Sequence, residues 1–274
     1  MRLISCALAG LAILLPAVAA ASQLEEFISA AGGADIVILG EVHDNPVHHE
    51  NQARIVAALQ PEALVFEMIP QKKEDTVNEL RSRGADRDEI AAALEWDGSG
   101  WPDFAHYARI LEAAPEARVF GGGQPEADVR RAMVEGAAGP FGPDAEIYGL
   151  SKPLEAEERA ARERQMVESH CHALSEEVAG GMVEAQRFRD AALADAALWA
   201  LTMTGGQVVV ITGNGHADLE VGMPKKLRHA DPDVSFVTLG QLEAPTPDEA
   251  AASFDHVIVT EPAEREDPCL QFRK

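Results

Sequence analysis

Two stretches of the sequence carry a Gly-x-x-His pattern directly after an apolar run: Gly40-Glu41-Val42-His43 and Gly213-Asn214-Gly215-His216. Ligands of open parallel sheets bind outside the carboxyl ends of the strands, and a glycine there lets the chain turn off sharply while the polar residues after it face the crevice. Glu41 and His43 are two apart and point to one side if the extended conformation persists. A third apolar run, Ala63 to Phe66, ends in Glu67. Glu41, His43, Glu67 and His216 are therefore expected to converge from three strand ends. Two imidazoles and two carboxylates in one cleft can activate water as bases or hold a divalent metal. Singly, each has an ordinary role as a cap, a carbonyl partner or a solvated terminus. The repeated spacing is what argues for the joint reading.

Other residues could serve the same edge. His48 and His49 follow His43 closely, and three histidines beside carboxylates suggest a metal site or a haem propionate contact. H-E-x-x-H, C-x-x-C, G-x-S-x-G and a dinucleotide fingerprint are all missing, so no standard zinc, esterase or nucleotide signature applies. Tyr107 and Tyr148 are the only tyrosines. A phenolate is a ferric haem ligand, whereas the ordinary role of either residue is a core side chain. Tyr107, on a helix beside Trp101, is the stronger candidate, because Tyr148 falls in a Gly/Pro-rich stretch. Val183, Gln186, Asp190, Leu193, Ala197, Ala200 and Thr204 form one inward stripe of a long helix. Gln186 and Asp190 stack four apart within it and need buried partners, which the strand-end histidines could supply; a stripe misplaced by one position would leave both exposed. Gly121 to Gly123 could cradle an anion or simply form a tight turn. His170 and His172 read as surface residues.

The elements that must position these groups are α/β in pattern. Asp35–Gly40, Ala63–Phe66, Ala117–Gly121, Gln207–Thr212 and Val234–Leu239 are apolar enough for strands buried on both faces. A helix over Leu24–Ala31 precedes them. Pro46–Leu59, capped by Asp44 or Asn45, completes a strand–helix–strand unit. Helices are expected at Gln71–Arg83, Asp88–Glu95, Pro102–Ala114, Glu126–Glu135, Glu155–Leu174 and Gly181–Thr204, with a loop over Gly136–Lys152. The fold class is a single α/β domain: a mostly parallel sheet covered by helices on both faces, plus a helical excursion from the middle of the chain.

At 274 residues and 46% hydrophobic composition the chain can bury a full core. Its formal charge of −23 repels phosphate backbones and anionic lipid, which argues against nucleic acid and membrane surfaces as partners. Arg2, the apolar stretch Leu3–Leu15 and the small residues Ala17-Val18-Ala19 or Ala19-Ala20-Ala21 read as a signal peptide over residues 1–21, leaving 22–274 as an exported, periplasmic domain. Cys6 lies near the start of the apolar stretch rather than after it, so no lipid anchor is expected. Of the two remaining cysteines, Cys171 and Cys269, an oxidising compartment makes one disulfide; two unrelated thiols are the alternative.

The ordered set Gly40-Glu41-Val42-His43-Asp44-Asn45-Pro46, His49, Glu67, Trp101-Pro102 with Tyr107, Gln186 and Asp190, Gly213-Asn214-Gly215-His216 and Gly222-Met223-Pro224 resembles the ChaN-like haem-binding family of the Tiki superfamily, over about Asp35 to Leu239. That superfamily also holds Tiki-type metalloproteases and erythromycin esterases. The resemblance implies an α/β domain that binds haem in bacterial iron acquisition, often as a homodimer enclosing two stacked haems. It also implies an alternative: a hydrolase of esterase or peptidase type, metal-dependent or not, centred on Glu41, His43, Glu67 and His216.

Overall fold

The structure is a computed structural model and describes residues 15–267 and 269–270. Six strands form one sheet: β1 (Ile36–Glu41), β2 (Ala63–Pro70), β3 (Arg118–Gly123), β4 (Val208–Gly213), β5 (Phe236–Glu243) and β6 (His256–Thr260). Their order is β3-β2-β4-β1-β5-β6, and every neighbouring pair is parallel. β4 lies between β1 and β2, with Ile36 paired to Val208 and Ala63 paired to Val208 on its other side. Alternation sends Val37, Leu39, Val209 and Ile211 into one core and Ile36, Ile38, Val208 and Val210 into the other. Runs of β-branched residues buried on both sides are what such a sheet requires.

Twelve helices are found among the described residues: α1 (Leu15–Ala31), α2 (Pro46–Leu59), α3 (Glu74–Ser82), α4 (Arg87–Leu94), α5 (Phe104–Ala113), α6 (Glu126–Glu135), α7 (Ala138–Phe141), α8 (Ala156–Ser169), α9 (Glu176–Thr204), α10 (Asn214–Ala217), α11 (Met223–Ala230) and α12 (Asp248–Ala251). The first five pack on the Val37 face, while α6, α9 and α11 pack on the Ile36 face. The domain is thus α/β, with the sheet covered on both sides. None of the helices among the described residues is long and apolar enough to cross a membrane.

Several boundaries differ from expectation for identifiable reasons. α9 starts five residues earlier than the Gly180-Gly181 pair suggests, because the Ser175 side chain accepts from the Val178 N–H and caps it. The stretch Gly136–Lys152 is no plain loop: it holds α7 and a 3₁₀ turn at Pro143–Glu146. Gly121 to Gly123 belong to β3 instead of a turn. A Cβ on Gly122 would sit 2.5 Å from Leu193 Cδ2, so the missing side chains let α9 lie directly on the sheet. Most of the expected signal peptide, residues 1–14 with Cys6, lies outside the described residues; 15–21 are the first turns of α1. Cys171, in the turn after α8, is joined to Cys269 by a disulfide, with 5.5 Å between Cα atoms.

Candidate functional site

The carboxyl ends of β1, β2 and β4 lie side by side, and their terminal side chains meet. Glu41 closes β1 with its carboxylate fully buried. Its Oε1 accepts from the Tyr107 hydroxyl and from His43 Nδ1, both at 2.8 Å, and its Oε2 accepts from the Gln52 amide at 2.8 Å. Three donors from α2, α5 and the β1–α2 loop therefore hold one carboxylate.

The bond to Glu41 fixes the tautomer of the neutral His43 ring: Nδ1 then carries the proton, and Nε2 presents the lone pair. Nε2 has no hydrogen-bond partner among the described residues. The ring is 35% exposed and meets Trp101 edge to face, with 4.9 Å between centroids. Its Nε2 edge lies on Gly213; a Cβ there would stand 2.9 Å from it. Burial pulls the pKa of His43 down, but the hydrogen bond to Glu41 and the charges of Glu67 and Glu41 outweigh it, so the net direction is up.

Glu67 lies within β2, just past the point where β2 stops pairing with β4. Its Oε2 accepts from Thr212 Oγ1 at 2.8 Å and from the Gly213 N–H at 2.9 Å, and its Oε1 stands 3.3 Å from His216 Nε2. Burial opposes its charge, yet His216 and these hydrogen bonds hold the carboxyl far below the usual carboxylate range. His216, on α10, donates Nδ1–H to Asp190 Oδ1 at 2.6 Å. Burial again opposes charge, but Glu67 and Asp190 prevail and push its pKa up to about 10. The ring is thus an imidazolium at neutral pH, locked between two carboxylates. Gln186 lies over it, its amide 3.1 Å from Nδ1. Asp190 Oδ2 has no hydrogen bond and stands 3.6 Å from Arg162 Nη2, a buried cation contributed by α8.

A cleft of about 150 Å³ opens at this edge, lined by Glu67, Met68, Pro70, Trp101, Arg189 and Leu193 with the glycines of β3 and Gln124. Trp101 also forms a wall of a wider, shallower cleft of about 490 Å³ beside α4.

The structure brings Glu41, His43, Glu67 and His216 together, with Gln186 and Asp190 behind His216. The four haem-contact candidates lie away from the cleft lining, and Tyr107 is held in the core. Its ring is 1% exposed and its hydroxyl is given to Glu41. Tyr148 packs in the other core and donates to Asp195 Oδ1 at 2.7 Å. Burial, with the adjacent carboxylate, pushes both phenols up. His48 is fully buried; its Nδ1 accepts from the Val42 N–H at 2.9 Å and its Nε2 bonds Thr260 Oγ1 at 2.9 Å. His49 is equally buried and donates Nε2–H to the His43 carbonyl at 2.8 Å. These histidines brace the loop that carries His43 and do not line the cleft. His170 and His172 flank Cys171 in the turn after α8, the first bonding the Met166 carbonyl.

Sequence reasoning missed Gln52, Thr212 and Arg162. Gln52 was the most accessible of the three: it shares the buried face of α2 with His48, His49, Ile55 and Val56, and a polar residue on such a face needs a partner. No cluster of three or more His, Cys, Asp or Glu side chains suited to a metal ion occurs among the described residues.

The family model described as haem-binding uptake, Tiki superfamily, ChaN matches residues 27–227, most of the chain. The structure of cofacial haem binding to ChaN of Campylobacter jejuni is similar in fold at a TM-score of 0.65 and 20% identity, covering 85% of this chain and 90% of that one. The type III effector HopBA1 matches at a TM-score of 0.51 and 13% identity, covering 88% and 94%. Identities this low carry the fold and no more. No curated protein compared with the chain matches it.

Proposed function

Because the chain belongs to the ChaN family of haem-binding uptake proteins in the Tiki superfamily, we propose that it is an exported haem-binding protein of bacterial iron acquisition, and that haem docks at the carboxyl edge of the sheet beside His43. The single observation carrying this placement is the imidazole nitrogen His43 Nε2, unpartnered and half open beside the Trp101 ring and the Glu67 cleft. Haem iron accepts such a donor. Trp101, Met68 and Leu193 offer apolar contact, and Arg189 is the cation at the rim that a propionate would meet in an otherwise acidic protein. A cleft of about 150 Å³ is smaller than the ~300–1,000 Å³ that encloses a drug-sized ligand. Much of the macrocycle must therefore lie outside it, and a second copy of the chain is the cover this reading assigns. Residues 1–21 are the signal peptide of the same reading.

The test is an absorbance titration of the purified mature protein with haemin. Saturable uptake with a shifted Soret band is expected; a spectrum identical to free haemin at every ratio rejects the reading. Intact-mass analysis from the native host tests export, through the loss of about two kilodaltons that a cleaved signal of roughly twenty residues requires.

One observation favours a second reading, a hydrolase. The array Asp190–His216–Glu67 fixes an imidazolium and a carboxylate beside the Glu41–His43 pair, whose Nε2 is oriented to take a proton from water. In that reading His43 is the base, Glu41 its orienting partner, and the His216 imidazolium a stabiliser of developing negative charge. Hydrolysis of chromogenic esters or peptides that survives in His43→Gln would reject it.

A further inference from the structure

On the Asp190 side of His216, α8 and α11 both pack against α9, and Lys225 Nζ of α11 donates to Glu158 Oε1 of α8 at 2.8 Å. Three cations are enclosed there: Arg162 of α8, Arg187 of α9 and Lys226 of α11, with exposures of 4%, 3% and 5%. Buried charges are ordinarily paired and hydrogen-bonded, because a charge taken out of water without a partner is strongly destabilising. Arg187 follows that rule: its Nη1 donates to both oxygens of Glu184 at 2.9 Å and its Nη2 to the Lys152 carbonyl at 2.7 Å. Arg162 and Lys226 do not. Arg162 has one ion pair, 3.6 Å from Nη2 to Asp190 Oδ2, and no hydrogen bond among the described residues. Lys226 has neither a hydrogen bond nor an ion pair among them, and the carboxylate whose charge reaches it most is again Asp190.

We propose that Arg162 and Lys226 form a binding site for one small oxyanion of the carboxylate or phosphate class. Four cations meet in this packing, Arg162, Arg187, Lys226 and the His216 imidazolium, against three carboxylates, Glu67, Glu184 and Asp190. Glu67 is committed to His216 and Glu184 to Arg187, so Asp190 must serve His216, Arg162 and Lys226 together. Its Oδ1 is taken by His216 at 2.6 Å, and its Oδ2 accepts no hydrogen bond. The cluster is one anion short. A guanidinium presents paired N–H donors that match two oxygens of one anion, and an ammonium beside it adds a point charge. Burial pulls the pKa of Lys226 down to about 8, against the charge of Asp190, so the amine is still largely charged at neutral pH. The few per cent of each side chain open to solvent suits a small ion and not a large molecule. A chain of net charge −23 repels anions over its surface as a whole, so uptake of one would mark this cluster. The site is separate from the Glu67 cleft and does not depend on what docks there.

The experiment titrates the purified protein with sodium formate and, separately, with inorganic phosphate, at an ionic strength held constant with sodium chloride. Calorimetry reads the binding, and nuclear magnetic resonance of the His216 ring, which Asp190 links to the site, reads its place. One of the two oxyanions should saturate at one per chain and move the His216 signals, and which of them binds tighter separates a carboxylate from a phosphate site. Lys226→Gln and Arg162→Gln should each weaken that binding by about tenfold or more. Lys225→Gln removes only the more exposed cation paired to Glu158, and its affinity should stay within about threefold of wild type. Wild-type protein that saturates with neither oxyanion overturns the proposal without recourse to any variant. Binding as tight in folded Lys226→Gln as in wild type overturns it, and so does an equal loss in Lys225→Gln, which would report general charge attraction.

Discussion

Asp190 and His216 are joined by the shortest contact in the centre, 2.6 Å between Oδ1 and Nδ1, although Asp190 comes from the middle of α9 and His216 from the turn after β4. The contact ties the long helix to the sheet edge. It also places a carboxylate with a free second oxygen against the buried Arg162.

Replacing that carboxylate by its amide should be felt twice. Asp190→Asn removes an anion from His216 and Arg162 together, so the pKa of His216 should fall from about 10 and stability should drop by about 3–5 kcal/mol, the cost of breaking a buried pair. Nuclear magnetic resonance titration of the His216 ring reads the first, urea unfolding the second. A variant as stable as wild type with an unmoved His216 would contradict the network.

Stability should peak near pH 6.5. His216 has its pKa raised to about 10, so its contribution is complete below about 6.5 and is lost as pH climbs toward 10. Burial depresses His48 to about 4, so the folded state resists a proton that the unfolded state accepts, and stability is lost as pH falls from about 6.5 to 4. Each limb can approach a slope of about 1.4 kcal/mol per pH unit. Thermal melting across this range should show both limbs, with the acid limb flattened in His48→Gln.

Adding one methyl group at Gly213 should disturb the site more than the fold. The new Cβ would lie 2.9 Å from His43 Nε2, so the imidazole must move off Trp101 and lose its aim. Gly213→Ala is expected to destabilise by about 1–3 kcal/mol, as overpacking does, and to weaken haemin binding by about tenfold or more. Haemin affinity equal to wild type in a folded Gly213→Ala protein would show that the His43 position does not matter to the ligand.

Reduction of the Cys171–Cys269 bridge, which spans a separation of 98 residues, should cost about 2–4 kcal/mol. The effect should be largest in the segment after β6, where Arg265 holds Asp44 and Glu243. Hydrogen exchange in a Cys171→Ser/Cys269→Ser protein measures it directly; unchanged protection in this segment would show that the bridge contributes nothing there.

The parts legible in the sequence were those governed by local pattern. Continuous apolar runs marked β1, β2 and β4 because strands buried on both faces need them. The alternation of Glu41 and His43 set both on one side, and the three-four spacing of α9 carried Asp190 inward. What escaped depends on tertiary partners. β6 is short and only half covered at the sheet edge, so His256–Thr260 lacks the apolar density of the inner strands. The tyrosines illustrate the same limit: nothing near Tyr107 in the chain indicates that its hydroxyl belongs to Glu41, a residue presented from another element.

The position of β4 governs how the molecule can come into being. β1 and β2 emerge early from the ribosome, yet neither can complete its ladder, because the strand that separates them follows α9. Until β4 is synthesised the two share no hydrogen-bonded neighbour, and the pairing Ile36 with Val208 closes all the intervening chain into one long loop. Such long-range parallel pairing is slow. Completion of β4 is therefore the event that turns separate early elements into one rigid sheet.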